Sequence, residues 1–392
     1  MIEIVLNYHL LYKCTEDILS VIKPTEVDKN KRLGAVKEIV NSICSVDAFR
    51  DAAVKPFGSF VSNLYAKSGD LDVSIELSNG SGFPIRNKKK NNALKELRKA
   101  LQIKGVSRDV QFTPTARVPV LKYVSNRFGI SCDISINNYT GRAKSRVLYW
   151  LNTLDRRFGD MVLLVKEWAK AQNINDPRNG TLNSYSLCLL VIFHFQTCKP
   201  AIFPPMKEIY DVSIAEGSGG FNEERLDQIC MENIAKFRRR EAGQRYQTCL
   251  SLSSLLAKFF EKFCDIGTGA HYDTCTAQLK QTQGDLYRTT QSSSLFVEDP
   301  FERSDDAART VDVPGLQRIA RAFKHARDVI YSREPADRDG LVSLLCTPEV
   351  GSKLGGRGID DWFTYPEMSP PRSGPIRRPQ RYNSGGRAAA PY

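Results

Sequence analysis

From Asp70 to Leu77 the chain reads "DLDVSIEL", with polar and apolar residues alternating without a break. Leu71, Val73, Ile75 and Leu77 share one face; Asp70, Asp72, Ser74 and Glu76 share the other. Side chains on a strand point alternately to opposite faces, so this period predicts a strand with one buried side. It also sets two carboxylates on the same side, about 6–7 Å apart along the strand. Carboxylates that close repel unless a cation lies between them. Magnesium takes a few carboxylates and completes its shell with water and phosphate oxygens. On spacing alone, the pair reads first as a solvent-facing acidic strand edge, because such spacing is common on any half-exposed strand.

Two further segments bear on that choice. Upstream, Gly58-Ser59 opens "GSFVSNLY", which predicts a short helix with Ser59 as its cap. A helix start offers backbone N–H groups to a phosphate, and glycine lets the backbone approach closely. Downstream, "ISCDISI" alternates again: Ile130, Cys132, Ile134 and Ile136 on one face, Ser131, Asp133 and Ser135 on the other. The preceding "VPVLKYVSNRFG" reads as a partner strand and a turn from Asn126 to Gly129. If these strands are neighbours, three carboxylates converge opposite a phosphate seat, which suits two-metal phosphoryl transfer.

The rest of the chain predicts an α+β protein. Residues 1–50 read as helices, with Thr15 as a cap, 55–136 as strands alternating with helix, and 145–200 as long helices. A last helix covers 311–332, with Pro314 in its first turn. The expected organisation is N-terminal helices over 1–45, a mixed-sheet domain over 46–144, a helical domain over 145–335 and a tail over 348–392. The tail is rich in Pro, Gly, Ser and Arg, and buries too little to offset its ordering entropy, so disorder is expected there. The start, "MIEIVLNYHLLYKC", lacks a basic n-region and reads as a helix, and the apolar run Leu187–Phe195 is too short to span a bilayer. No membrane association is expected.

Ten cysteines contain no CxxC and read as reduced core residues of an intracellular protein, in the nucleus, the cytoplasm or both. The spacing of Cys264, His271 and Cys275 matches no standard zinc site, and the histidines form no HExxH. A net charge of +12 favours a polyanionic partner. Ile85–Arg108 holds nine basic residues and one acid, with Leu94, Leu97 and Leu101 on one helix face; "KFRRRE" (Lys236–Glu241) is a second basic run. Such runs are solvated helix faces or RNA contacts. With no RRM, KH or zinc-knuckle signature, RNA affinity is expected to be modest and salt-sensitive, with an effector protein delivering substrate.

Gly58-Ser59, ten residues, Asp70-Leu71-Asp72, then Asp133 about sixty residues on: this set resembles the polymerase-β-like nucleotidyltransferases. "GTLNSYSLCLLVIFHFQ", "FPPMKEIYD" and "FVEDPFERSDDAARTV" are similar to noncanonical poly(A) polymerases and terminal uridylyltransferases, and the run within residues 21–77, "VIKPTEVDKNKR" to "VSIEL", looks most like plant small-RNA 3′-terminal uridylyltransferases. The resemblance implies a nucleotidyltransferase sheet domain joined to a helical poly(A)-polymerase-associated domain. It implies a monomer that adds UMP from UTP to RNA 3′ ends with Mg2+ or Mn2+. The alternatives are a poly(A) polymerase and a catalytically silent RNA-binding scaffold. By the same resemblance, Asp70, Asp72 and Asp133 hold the metals, and Gly58, Ser59, Lys166 and Lys170 the triphosphate. Ser184 meets phosphate, Tyr185 stacks on the base, and Asp299 and Glu302 face the base edge, where an acceptor suits the N3–H of uracil. Two positions depart from the family pattern. Lys144-Ser145 stands where relatives often have Asn-Thr near the sugar, and Asp305 stands where uracil-selective relatives often have His.

Overall fold

The computed structural model describes residues 2–354, apart from Ser45 and the segments 78–84, 211–221, 243–249, 282–294, 303–304 and 333–336. The expected tail lies outside the described residues from 355 onward. Its first residues do not behave as a tail: Pro348–Gly351 is helical, and Val350 and Leu354 are buried. The ordered chain therefore runs past 348, because these two apolar side chains complete a helical core.

The sheet forms as the alternation predicts. Its strands are β1 (Ala53–Phe57), β2 (Leu71–Glu76), β3 (Ser107–Thr113), β4 (Val120–Ser125) and β5 (Ser131–Ile136), in the spatial order β1-β2-β5-β4-β3. The β2/β5 pair is parallel and the other pairs are antiparallel. Leu71, Val73, Ile75, Cys132, Ile134 and Ile136 are fully buried under helices α2 (Glu26–Ile43) and α4 (Asn87–Ile103). Leu94, Leu97 and Leu101 of α4 face the sheet, so its basic residues are left on the outer side.

A second core is helical. It is built from α1 (Ile2–Ile22), α5 (Tyr139–Asn152), α6 (Arg156–Ala171), α7 (Ser184–Gln196), α8 (Glu223–Ala242), α9 (Leu252–Phe263), α10 (Val313–Ile330), α11 (Arg338–Leu345) and α12 (Pro348–Gly351). The N-terminal helices thus divide: α1 buries Leu11, Cys14, Ile18 and Ile22 in the helical core, and α2 buries Ala35, Ile39 and Ile43 against the sheet. Thr15 is not a cap. It lies inside α1, fully buried, and its hydroxyl donates to the Tyr12 carbonyl at 2.7 Å. The apolar period Leu11-Cys14-Ile18 runs straight through it. The capping box belongs instead to Thr25, which exchanges hydrogen bonds with Asp28 at the start of α2. A small sheet of β6 (Ala270–Asp273), β7 (Gln278–Gln281) and β8 (Phe296–Val297) closes this half. No helix among the described residues is long and apolar enough to cross a membrane.

His194 of α7 is 1% exposed, packed edge-on against Phe195 and Phe259, and its Nδ1 has no hydrogen-bond partner among the described residues. Burial pushes its pKa down to about 3. A base with a depressed folded pKa loses stability as pH falls, because only the unfolded chain takes up the proton. Between pH 6.5 and pH 4 this site should remove about 1.4 kcal/mol of stability per pH unit. The test is chemical denaturation across that range: His194→Met should flatten the slope by about one proton, and an unchanged slope would refute the assignment.

Candidate active site

The β2/β5 register sets Asp72 directly beside Asp133, and the β4/β5 register sets Lys122 opposite Asp133. Asp70 ends the loop that enters β2. The Lys122 ammonium lies 2.7 Å from Asp70 Oδ2 and 3.3 Å from Asp133 Oδ1, so one nitrogen touches both carboxylates. Burial works against that charge, yet Asp70 and Asp133 hold the Lys122 pKa above the usual lysine value. Burial, and next the charges of Asp133 and Asp70, push the Asp72 carboxyl up to about 7. Burial raises Asp133 as well, against the pull of Lys122. The two strands are neighbours, as that arrangement requires: Asp72 stands beside Asp133, and Lys122 bridges Asp70 and Asp133.

Their fit to a divalent cation can be judged from the donors. Three carboxylates make a hard oxygen set of the kind Mg2+ or Mn2+ prefers. Burial raises the Asp72 and Asp133 carboxyls even with the Lys122 ammonium 3.3 Å from Asp133 Oδ1, so the set still favours added positive charge, which a divalent cation would supply.

A cavity of about 460 Å³ lies in front of these strands, between the two cores. The sheet side contributes Gly58, Ser59, Asp70 and Asp72; the helical side contributes Lys144, Ser145, Lys166, Lys170, Ser184 and Tyr185. Asp133, beside Asp72 on the neighbouring strand, does not line the cavity. The short helix α3 (Gly58–Ser62) does form, but Phe57 is its cap residue and no side chain caps it, so Ser59 lies inside the helix rather than at its cap. The reason is Ser145 of α5. Its hydroxyl accepts the Gly58 N–H at 2.6 Å and donates to the Gly141 carbonyl at 2.6 Å, tying α3 to α5.

On α6, Lys166 and Lys170 are one turn apart, as their i, i+4 spacing requires. Lys166 donates to the Leu64 carbonyl at 3.3 Å, and burial lowers its pKa. On α7, Asn183 caps the helix by accepting from the N–H groups of Tyr185 and Ser186, which fixes the start where Ser184 and Tyr185 sit. Ser184 meets Asn175 at 3.2 Å. The Tyr185 hydroxyl donates to Asp299 Oδ1 at 3.2 Å.

The acidic residues at 299–305 are placed differently from the cavity wall. Asp299, Glu302 and Asp305 present oxygens within 4.8 Å of one another, but none of them lines the cavity. Cationic side chains hold the group together. Lys144 donates to Asp299 at 2.5 Å and Glu302 at 2.9 Å; Arg117 donates to Glu302 and Asp305, each at 2.6 Å; Arg309 reaches Asp305 at 3.2 Å. Asp305 therefore sits in an ion-pair network away from the cavity wall. His271, set aside with Cys264 and Cys275, pairs with Glu298 at 3.0 Å.

Three residues escaped sequence reasoning. Lys122 could have been found by laying "VLKYVS" antiparallel to "ISCDISI", which sets it opposite Asp133. Arg32 is fully buried in α2 and donates to the carbonyls of Ala66, Lys67 and Gly69, holding the loop that delivers Asp70. Neither Arg32 nor Arg117 carries a local signal, because both act across long sequence separations.

Residues 11–152 match the family described as poly(A) RNA polymerase, mitochondrial-like, central palm domain. Over 346 residues the chain is 44% identical to Protein HESO1 of Arabidopsis thaliana, covering 86% of this chain and 67% of that protein. It is 30% identical over 364 residues to the terminal uridylyltransferase cid1 of Schizosaccharomyces pombe, covering 85% and 82% respectively. Among solved structures, the Cid1 poly(U) polymerase with MgGTP bound superimposes with a TM-score of 0.67 at 27% identity, over 84% of this chain and 98% of that one. The mtPAP complex with UTP, at 20% identity and a TM-score of 0.69 over 86% of this chain and 73% of that one, shares the fold.

Proposed function

The chain belongs to the family of terminal uridylyltransferases and noncanonical poly(A) polymerases, and from that premise we propose that it adds UMP from UTP to RNA 3′ ends without a template. The observation that carries this reading is Asp70 and Asp72 at the start of β2, with Asp133 beside Asp72 on the adjacent β5, next to a cavity that Asp70, Asp72, Gly58, Lys166 and Lys170 line. Similarity to a protein named as a terminal uridylyltransferase supports the choice of UTP.

Asp70, Asp72 and Asp133 would hold Mg2+ or Mn2+, which when bound supplies positive charge to the reacting oxygens and the triphosphate. The chain's own groups do the rest. The RNA 3′-oxygen bonds to the α-phosphorus of UTP, the bond from that phosphorus to the β-phosphate bridging oxygen breaks, and pyrophosphate leaves. A carboxylate of this set would take the hydroxyl proton as the new bond forms. Lys166 and Lys170 balance charge on the departing phosphates. Gly58 leaves room for the triphosphate, and the Tyr185 ring offers a stacking face. We further propose that the enzyme works as a monomer in the nucleus or cytoplasm, and that a small-RNA effector protein delivers its substrate.

The deciding experiment is base choice. With Mg2+, a short single-stranded RNA and each triphosphate alone, UTP should be incorporated at least tenfold faster than ATP. Preference for ATP would replace this reading with a poly(A) polymerase. No incorporation of any nucleotide, with no Mg2+-dependent triphosphate binding, would leave an RNA-binding scaffold.

A further inference from the structure

The acceptor expected at the base edge is already occupied. Asp299 is 3% exposed. Its Oδ1 accepts from the Tyr185 hydroxyl at 3.2 Å and the Phe301 N–H at 2.9 Å, and its Oδ2 accepts from Lys144 at 2.5 Å. Glu302 spends one oxygen on Lys144 and the other on Arg117. Neither carboxylate lines the cavity, but Lys144 does. The group these acids present to a nucleotide is therefore a donor, the ammonium they hold.

Lys144 is well fixed for that task. Its Nζ sits 5.0 Å from the centre of the Tyr185 ring and its side chain is 18% exposed. An ammonium has three N–H groups and no acceptor. Asp299 and Glu302 take two of them, which leaves one for the cavity. A base stacked on Tyr185 brings an edge to this nitrogen. A fixed donor there favours a carbonyl oxygen and disfavours an amino group, which would set donor against donor. Uracil carries a carbonyl at position 4, where cytosine carries an amino group; adenine carries an amino group at position 6.

We propose that Lys144 selects the base, donating its remaining N–H to O4 of uracil, and that Asp299, Glu302 and Arg117 serve to position it. This rests on the uridylyl reading above. On this reading the two departures from the family pattern, Lys144 and Asp305, belong to one network, joined through Glu302 and Arg117. The base-facing donor comes from α5, and Asp305 is turned to anchor Arg117.

The test uses the full chain with UTP, CTP, ATP, 4-thio-UTP and 2-thio-UTP. Sulfur accepts hydrogen bonds weakly, so the wild type should use 4-thio-UTP about tenfold less efficiently than UTP, with 2-thio-UTP within about threefold. Lys144→Met, which has no N–H to donate, should cut the UTP-over-CTP and UTP-over-ATP ratios of kcat/KM by about 10–100-fold, mainly through the KM for UTP, and should lose the 4-thio penalty. Lys144→Arg, which keeps charge and donors, should retain most of the preference. A folded Lys144→Met enzyme with unchanged ratios would overturn the proposal. So would a wild type indifferent to 4-thio-UTP or sensitive only to 2-thio-UTP, a comparison that needs no variant to fold. Wild-type preference for ATP would instead defeat the uridylyl reading itself, and with it this assignment.

Discussion

Asp72→Asn should abolish 3′ tailing, by at least about 10³-fold in kcat/KM, and at the same time raise the melting temperature of the metal-free protein. The two effects have one cause. Asp72 lies beside Asp133 in the β2/β5 register and two residues from Asp70, and its carboxyl is pushed up to about 7 by burial and by those two charges. An acid whose folded pKa lies above its unfolded value contributes stability at low pH and loses it as pH rises through the folded pKa. Here that window runs from the usual aspartate range to about pH 7. Above it the native state bears an ionised Asp72 that it would hold more cheaply neutral. Asparagine removes that charge while keeping the shape, so at pH 8 the apo variant should melt about 2–5 °C higher than wild type. It also removes a carboxylate from the cation set. Calorimetry with and without Mg2+ should therefore show stabilisation by the ion in wild type and little in the variant. Tailing that survives the substitution, or an apo melting temperature that falls, would show that Asp72 is not part of a charged metal site.

What was legible in the sequence is what local geometry dictates. The period-2 pattern of "DLDVSIEL" and "ISCDISI" fixes which face each aspartate takes, and a buried apolar face fixes the register strongly. The Lys166/Lys170 pair follows from helical spacing in the same way. Thr15 misled because a threonine ahead of acidic residues looks like a helix start, although the apolar residues on either side keep one helical phase. The limits of the ordered chain misled because Val350 and Leu354 stand alone in a polar, glycine-rich context. Their value appears only once α1 and α11 are in place. Lys122, Arg32 and Arg117 were invisible for a different reason. Each has its partner far along the chain or across a strand, and composition near it says nothing about that partner.

The base edge shows the same limit in sharper form. Residue identity at 299 and 302 suggests two acceptors, and the family pattern reads them so. Whether an acceptor is available depends on what else reaches it. Lys144, 155 residues away from Asp299, fills it. If the base binds as proposed, the group it meets there is a donor rather than an acceptor, because of a contact between α5 and a loop of the helical half.

Gly58→Ala should silence the enzyme nearly as completely as loss of an aspartate, without unfolding it. Gly58 has φ +69°, in the left-handed region where a side chain is strained by roughly 1–2 kcal/mol. That alone would lower the melting temperature by only a few degrees. The larger effect is local. A Cβ at Gly58 would fall 1.9 Å from Asp72 Oδ2 and 2.7 Å from its Cγ, so the carboxylate and the start of α3 cannot both stay where they are. The Gly58 N–H is held by Ser145 at 2.6 Å, which keeps α3 from simply retreating. The carboxylate must then swing away from its neighbours, and a displacement of about 1 Å in a reacting group lowers a rate by about 10²-fold or more. Ser145→Ala is the informative control: it frees the Gly58 N–H but puts no atom near Asp72, and should reduce kcat far less. Tailing by Gly58→Ala within about threefold of wild type would mean that the Asp72 carboxylate is not held where the strand register puts it.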